Sequence, residues 1–145
     1  MSENWDKKLL DSIWTERMTL CYKMLLICEI VDGADSEGKM SLKELAGQFQ
    51  AFFKERHAQG KAEENPNRFR MGEATSDRPI EQWERTILEE PVAHIKTLPI
   101  KHDGLFVQLA PEVCPTWTPG FRTALKKTAE VRLIEYFENN VPGGY

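Results

Sequence analysis

The chain has 145 residues, of which 41% are hydrophobic and 29% charged, and its formal net charge is −4. This size suits one globular domain, and no stretch approaches the ~20 apolar residues of a membrane-spanning helix. The first residues lack the apolar core of a signal peptide, and three cysteines fit a reducing compartment. These features predict a cytoplasmic protein and are not typical of a dedicated nucleic-acid binder, which usually carries a basic excess.

Two helices are predicted in the first third of the chain. Residues 5–14 place apolar side chains at helical spacing. The longer run from Glu16 to Val31 is apolar on most faces, which predicts a central, largely buried helix. The glycines and acidic residues of "DGADSEGK" that follow indicate a turn.

A capping pattern marks the start of the next helix. Ser41 and Glu44 have the Ser-x-x-Glu spacing of a capping box. Apolar residues at helical spacing continue from there to about Ala58, and Gly60 is the predicted stop.

A third helix and a hairpin are predicted after a long connection. Asp77 is expected to cap a helix that has Pro79 in its first turn and runs until Pro91. Short β-like runs then bracket the "HDG" of residues 102–104, which predicts a hairpin. Pro99 restricts its first strand to the edge of a sheet.

The remaining elements complete a predicted fold. Thr118 and Pro119 mark the start of a last helix. Residues 1–140 are therefore expected to form one domain, with residues 141–145 a flexible tail or linker stub. The order of elements predicts a mainly α, winged helix-turn-helix-like fold with a small β-hairpin. Its unusual feature is a long insertion between the second and third core helices, and connections of such length are typically functional or disordered.

No catalytic or metal-binding pattern accompanies these elements. Cys21 and Cys28 lie seven residues apart on one predicted helix, so we expect them to pack in the core. The His102-Asp103 pair fits turn chemistry better than general-base catalysis. Nucleophile and phosphate-loop motifs are missing from the sequence. The sequence predicts a protein that is not an enzyme and uses no cofactor, metal or small-molecule substrate.

One stretch is net positive. "KERHAQGKAEENPNRFRMG", residues 54–72, carries five Lys or Arg against three Glu. Its R-F-R sequence can stack a base on the ring while the guanidinium groups hold phosphates; the ring can equally anchor the loop to the domain, and the charges can be those of a solvated connection. The nucleic-acid-binding interpretation predicts these contact residues: Arg56, Lys61, Asn67, Arg68, Phe69, Arg70 and Arg78.

The stretch "YKMLLICEIVDGADSEGKMSLKELAGQFQAFFKERHAQGKAEENPNRFRM" resembles helical DNA-reading modules of prokaryotic restriction and anti-phage defence proteins. The resemblance covers about residues 20–72 and implies an accessory or DNA-recognition module that contacts nucleic acid through the 54–70 insertion and the third helix. The alternative is a protein-docking subunit that assembles with a nuclease, ATPase or SMC-like partner without binding DNA. The expected partners are thus DNA or a larger protein of these kinds, and no membrane.

Overall fold

The computed structural model describes residues 5–16, 21–61, 78–96, 98–141 and 144–145. Within them the chain is mainly helical and has one small antiparallel sheet, which confirms the predicted fold class at this level. The elements are α1 (Trp5–Ile13), α2 (Tyr22–Gly33), β1 (Lys39–Ser41), α3 (Leu42–Ala58), α4 (Ile80–Glu89), α5 (Pro91–His94), β2 (Ile100–His102), β3 (Phe106–Leu109) and α6 (Pro119–Asn140).

The central helix α2 is shorter than the sequence predicts. It begins at Tyr22, so the predicted start at Glu16 is wrong. Glu16 instead links two parts of the chain: its carboxylate accepts a hydrogen bond from the backbone N–H of Lys96 at 2.7 Å and pairs with Lys23 at 3.2 Å. The predicted burial of the helix is confirmed, because most of its side chains are removed from water.

The helix α3 begins and ends where the capping pattern predicts. Ser41 Oγ accepts a hydrogen bond from the backbone N–H of Glu44 at 2.9 Å. This bond satisfies one of the N–H groups that the first turn of a helix leaves without an intrahelical partner. After Ala58 the chain turns away at Gly60, whose φ of +73° is a conformation that glycine adopts at little steric cost.

The third helix differs from its prediction at both ends. Asp77, the predicted cap, lies outside the described residues. Pro79 takes the position before the first helical residue, Ile80, rather than a place in the first turn. The helix ends at Glu89, and Pro91 opens the short α5, where a residue without an N–H is tolerated.

The predicted hairpin is present, and a third strand joins it. In its turn, Asp103 Oδ1 accepts hydrogen bonds from the N–H groups of Leu105 and Phe106, which lower the pKa of the Asp103 carboxyl. Gly104 supplies the positive φ of +89° that the turn requires. The strand β1, which the sequence analysis does not predict, pairs with β3, so that the sheet order is β1-β3-β2. The first hairpin strand is an edge strand, as Pro99 predicts.

The last helix, α6, packs along α2 and contacts α1. Its predicted cap is confirmed, because Thr118 Oγ1 accepts a hydrogen bond from the N–H of Phe121 at 3.2 Å. Lys126 of α6 and Asp32 of α2 form an ion pair at 2.7 Å.

The segment predicted to be a flexible tail, residues 141–145, lies against the domain at each position described. Val141 is buried. The ring centroid of Tyr145 lies 5.9 Å from that of Phe137 in α6, and the Tyr145 N–H donates to Glu138 Oε1 at 3.3 Å. Residues 141 and 144–145 therefore pack on α6 instead of projecting from it.

An aromatic cluster joins α2, α3 and α4. The ring of Trp83 is stacked on that of Phe53, with centroids 5.2 Å apart and planes 7° from parallel. Tyr22 and Phe49 meet Trp83 at 6.1 and 5.9 Å in edge-on and tilted arrangements, which aromatic pairs favour over a face-to-face sandwich. All four rings are buried.

Replacing Ser41 by alanine should destabilise the domain, because the cap of α3 is lost. We expect the free energy of unfolding, measured by urea denaturation, to fall by about 1 kcal/mol. Ser36→Ala, in the exposed loop before β1, is the matched control and should change it by less than about 0.5 kcal/mol. An unchanged stability of the S41A protein would contradict a contribution from the cap.

Candidate functional site

The structure describes three of the seven residues predicted to bind nucleic acid. Asn67, Arg68, Phe69 and Arg70 lie outside the described residues. Arg56, Lys61 and Arg78 are described, and each one contacts other groups of the chain.

Arg56 lies in the last turn of α3 and is only 4% exposed. Its guanidinium group donates to the backbone oxygens of Gly144 at 2.8 Å and Tyr145 at 3.1 Å. The guanidinium carbon also lies 3.9 Å from the ring centroid of Phe137, a cation–π distance. Arg56 thus holds residues 144–145 against α3 and α6, and its charge is turned away from solvent.

Lys61 reaches the same place as Arg56. Its Nζ donates to the backbone oxygen of Tyr145, which is also bound by Arg56. The structure therefore brings these two predicted residues together, but around a backbone oxygen of the chain itself. We name this arrangement of Arg56, Lys61, Gly144 and Tyr145 the arginine clamp.

A groove of about 650 Å³ lies beside the arginine clamp. Glu29 and Glu55 line it along with the two basic residues, so its charge is mixed rather than positive. Burial is the main reason that the pKa of the Glu29 carboxyl is raised to about 7, and the negative charge of Asp32 is the second. The Oε1 atom of Gln48 on the groove wall is buried and accepts no hydrogen bond from any of the residues that the structure describes. A groove of this composition does not match a phosphate-binding surface.

Arg78 has different surroundings from Arg56. It is 8% exposed, and its guanidinium carbon lies 4.4 Å from the ring centroid of Trp83. Its Nη1 donates to Thr86 Oγ1 at 3.1 Å, while its backbone oxygen accepts from Gln50 Nε2 at 3.0 Å. Arg78 therefore contacts Trp83 and Thr86 of α4 and Gln50 of α3, and joins the start of α4 to α3.

The exposed side of α4 is acidic. Glu81 and Glu89 are exposed and Glu84 is half-buried, while Arg85 is the basic residue of the helix. A phosphate backbone would meet more negative than positive charge along this helix. Contacts from Arg85 alone would not offset that excess.

The outer face of the sheet carries a basic and apolar surface that the sequence analysis misses. The strand register aligns Lys39, Gln108 and Lys101 in one row across the three strands. Lys39 Nζ lies 4.6 Å from the ring centroid of Phe106, and Leu105 at the hairpin turn is 72% exposed. We name Lys39, Lys101, Leu105 and Phe106 the hairpin surface.

A sequence signal for the hairpin surface exists only in part. Alternation of buried and exposed residues in "KMS" and "FVQL" is compatible with strands. The pairing of β1 with β3, however, joins segments that are far apart in the chain. Unless that pairing is known, the sequence does not indicate that Lys39 and Lys101 lie on the same surface.

The cysteines are not arranged for chemistry in the described part of the chain. Cys21 and Cys28 are buried, as predicted, and burial raises the pKa of the Cys28 thiol to about 12, so that it stays protonated at neutral pH. Cys114 Sγ lies 3.4 Å from the backbone oxygen of Glu37. In the described ranges no three or more His, Cys, Asp or Glu residues are grouped to hold a metal ion, and no helix is long and apolar enough to span a membrane.

Comparison with known proteins gives no relatives. No family model matches the chain, and no curated protein and no solved structure is significantly similar to it. The function must therefore be argued from the surfaces described above.

Arg56→Ala should act on stability. The substitution leaves the backbone oxygen of Gly144 without the buried donor Arg56, leaves that of Tyr145 with Lys61, and removes the contact with Phe137. We expect the free energy of unfolding to fall by about 2–4 kcal/mol. Lys54→Ala, exposed on the same helix, should change it by less than about 0.5 kcal/mol. If the R56A protein kept the stability of the parent but lost nucleic-acid binding, the structural role of Arg56 would be contradicted. Arg56 would then be a nucleic-acid contact, as the sequence predicts.

Glu29 should make stability depend on pH. Its folded-state pKa of about 7 lies above its ordinary value of 4.5, so the protein loses stability as pH rises through this interval. Glu29→Gln cannot ionise. The E29Q protein should be more stable than the parent at pH 8, because it avoids the cost of a buried negative charge. We expect a difference of only about 1–2 kcal/mol, because water screens part of the carboxyl. The difference should largely disappear near pH 4.5, where the Glu29 carboxyl is protonated in the folded protein.

Urea denaturation at the two pH values measures the Glu29 effect. Glu55→Gln, an exposed glutamate on the same groove, controls for the loss of a negative charge as such. A constant difference between E29Q and the parent at both pH values would contradict the predicted ionisation cost.

Proposed function

We propose that this chain is a winged-helix-like, non-enzymatic accessory domain of a prokaryotic restriction or anti-phage defence system, and that it docks onto a larger protein. The assignment to defence systems rests on the resemblance of residues 20–72. The winged-helix assignment is supported by the order α2, β1, α3, α4 and hairpin, and by the pairing of β1 with the second hairpin strand. In this arrangement, the connection between α3 and α4 would be the insertion between the second and third core helices.

The observation that carries the docking role is the exposed apolar part of the hairpin surface. Leu105 is 72% and Phe106 39% exposed, and both residues lie at the turn end of the hairpin, beside the row that contains Lys39 and Lys101. Full burial of such a side chain is worth about 1.5–3 kcal/mol. Exposed apolar side chains rimmed by polar ones are typical of protein interaction sites.

Three features favour a protein partner over nucleic acid. The guanidinium groups of Arg56 and Arg78 are committed to contacts within the domain. The exposed side of α4, the helix that would read DNA in a winged-helix fold, is acidic. The net charge of −4 adds long-range repulsion of phosphates. The partner we propose is a nuclease, ATPase or SMC-like protein.

DNA recognition is the second candidate function, and one observation favours it. Lys39 and Lys101 lie in one row on the sheet, next to the exposed ring of Phe106. Lysines can neutralise phosphates and a ring can stack on a base. The predicted contact residues Asn67, Arg68, Phe69 and Arg70 would extend such an interface.

Leu105→Glu tests the docking role. The tagged chain is expressed from its native locus, and the proteins that co-purify with it are quantified by mass spectrometry. The substitution places a charge at the apolar tip, so we expect recovery of the partner to fall by about tenfold or more. Val131→Glu, which alters a 37% exposed apolar residue of α6, is the matched control and should leave recovery unchanged.

Duplex DNA binding is measured on the same proteins by fluorescence anisotropy. We expect no specific binding at about 50 mM salt. Binding that weakens steeply between about 50 and 200 mM salt would support the second candidate instead. Equal recovery of the partner by the L105E and parent proteins would contradict docking through the hairpin surface.

A further inference from the structure

The two edges of the sheet differ in how many backbone groups they leave open. At the β1 edge, the Lys39 N–H donates to Asp35 Oδ1 at 3.0 Å, and the Lys39 backbone oxygen accepts from the Asp35 N–H at 2.9 Å. The loop before β1 therefore occupies this edge. A further strand cannot pair there without displacing Asp35.

The β2 edge is open as far as the described residues show. Flanking hydrogen bonds join Asp103 to Phe106 and Pro99 to Ala110, so Lys101, midway between them, directs its N–H and C=O toward β3. The backbone groups of Ile100 and His102 consequently point away from the sheet, and no hydrogen bond is formed by them within the described part of the chain. Unpaired groups on an exposed edge are a template for another strand.

We propose that the β2 edge binds an extended acidic segment of the partner protein, which adds to the sheet as a fourth antiparallel strand. This inference rests on the proposed docking function and specifies its geometry. The N–H and C=O groups of Ile100 and His102 supply the backbone pairing, as in other complexes formed by strand addition.

The side chains around β2 define the chemistry of the added strand. A residue placed opposite Lys101 lies on the outer face of the sheet, in the row that also contains Lys39. Acidic side chains complement this row, because opposite charges on facing strands stabilise a sheet. A residue opposite Ile100 lies on the other face of the sheet, next to the Ile100 side chain, where an apolar side chain fits. The expected segment alternates acidic and apolar residues.

The same residues disfavour a second copy of this chain as the occupant. Two β2 strands paired antiparallel would bring their Lys101 side chains to the same face at short range, and like charges across strands are destabilising. A lysine at an exposed edge is typical protection against self-association.

The test uses a blocked, fluorescent peptide of about ten residues in which glutamate and valine alternate. Binding to the whole protein is measured by anisotropy, with the lysine–valine peptide as the charge control. In an antiparallel pair, the valines opposite Ile100 and His102 use their backbone groups toward β2. Methylation of the valine amides should therefore weaken binding by about tenfold or more, and methylation of the glutamate amides should not.

Amide hydrogen exchange in the labelled protein locates the contact. On peptide binding, the amides of Ile100 and His102 should exchange about tenfold more slowly at saturation. The Lys101 amide, already bonded to β3, is the internal reference. Lys101→Glu should weaken peptide binding by about tenfold, whereas Lys127→Glu, an exposed lysine on α6, should not.

Several results would overturn the strand-addition proposal. One is that the peptide methylated at its valine amides binds as tightly as the one methylated at its glutamate amides, or more tightly. The others are tighter binding of the lysine–valine peptide than of the glutamate–valine peptide, and no binding of the glutamate–valine peptide at millimolar concentration. If the peptide fails while L105E still loses its partner, docking stands and strand addition does not. If the peptide binds at β2 while L105E keeps its partner, the edge is a binding site and the hairpin tip is not.

Discussion

The position of α4 depends on the burial of one side chain, Trp83. Trp83 and Ile87 of this helix are fully buried, Ile80 and Leu88 are partly buried against the core, and the other residues are polar. The indole contacts both the ring of Phe53 on α3 and the guanidinium group of Arg78. An aromatic ring with an aromatic neighbour and a cation on its faces is fixed in orientation as well as in depth. The path of the chain from α4 through α5 to the hairpin therefore follows from a contact between two helices.

The sequence predicts those features that depend on residues close together in the chain. It does not predict those that depend on residues far apart in the chain. The caps at Ser41 and Thr118 and the stop at Gly60 involve neighbours in the chain, and all three are predicted correctly. Arg56 is bound by oxygens 88 and 89 residues away. No local pattern distinguishes an arginine that faces solvent from one that faces a distant backbone carbonyl. The hairpin surface escapes prediction for the same reason, because its lysines meet only through strand pairing.

The distribution of charge carries more information than its sum. The net charge of −4 suggests a uniformly acidic surface. The fold instead keeps glutamates along the exposed side of α4, turns two arginines inward, and exposes lysines on the outer face of the sheet. A partner with acidic and apolar groups would meet attraction at the sheet and repulsion at α4. Such an arrangement favours one orientation of approach and contributes to specificity and association rate more than to affinity.

The strand β1 runs into α3 without a loop, since Ser41 ends the strand and caps the helix. The first helical N–H of α3, that of Leu42, donates to the backbone oxygen of Leu105 in the hairpin turn at 2.9 Å. The hairpin is thus joined to a 17-residue helix near its turn, through the pairing of Ser41 with Phe106 and through the Leu42–Leu105 hydrogen bond. A molecule that binds the hairpin turn would therefore also contact the structure that holds the start of α3.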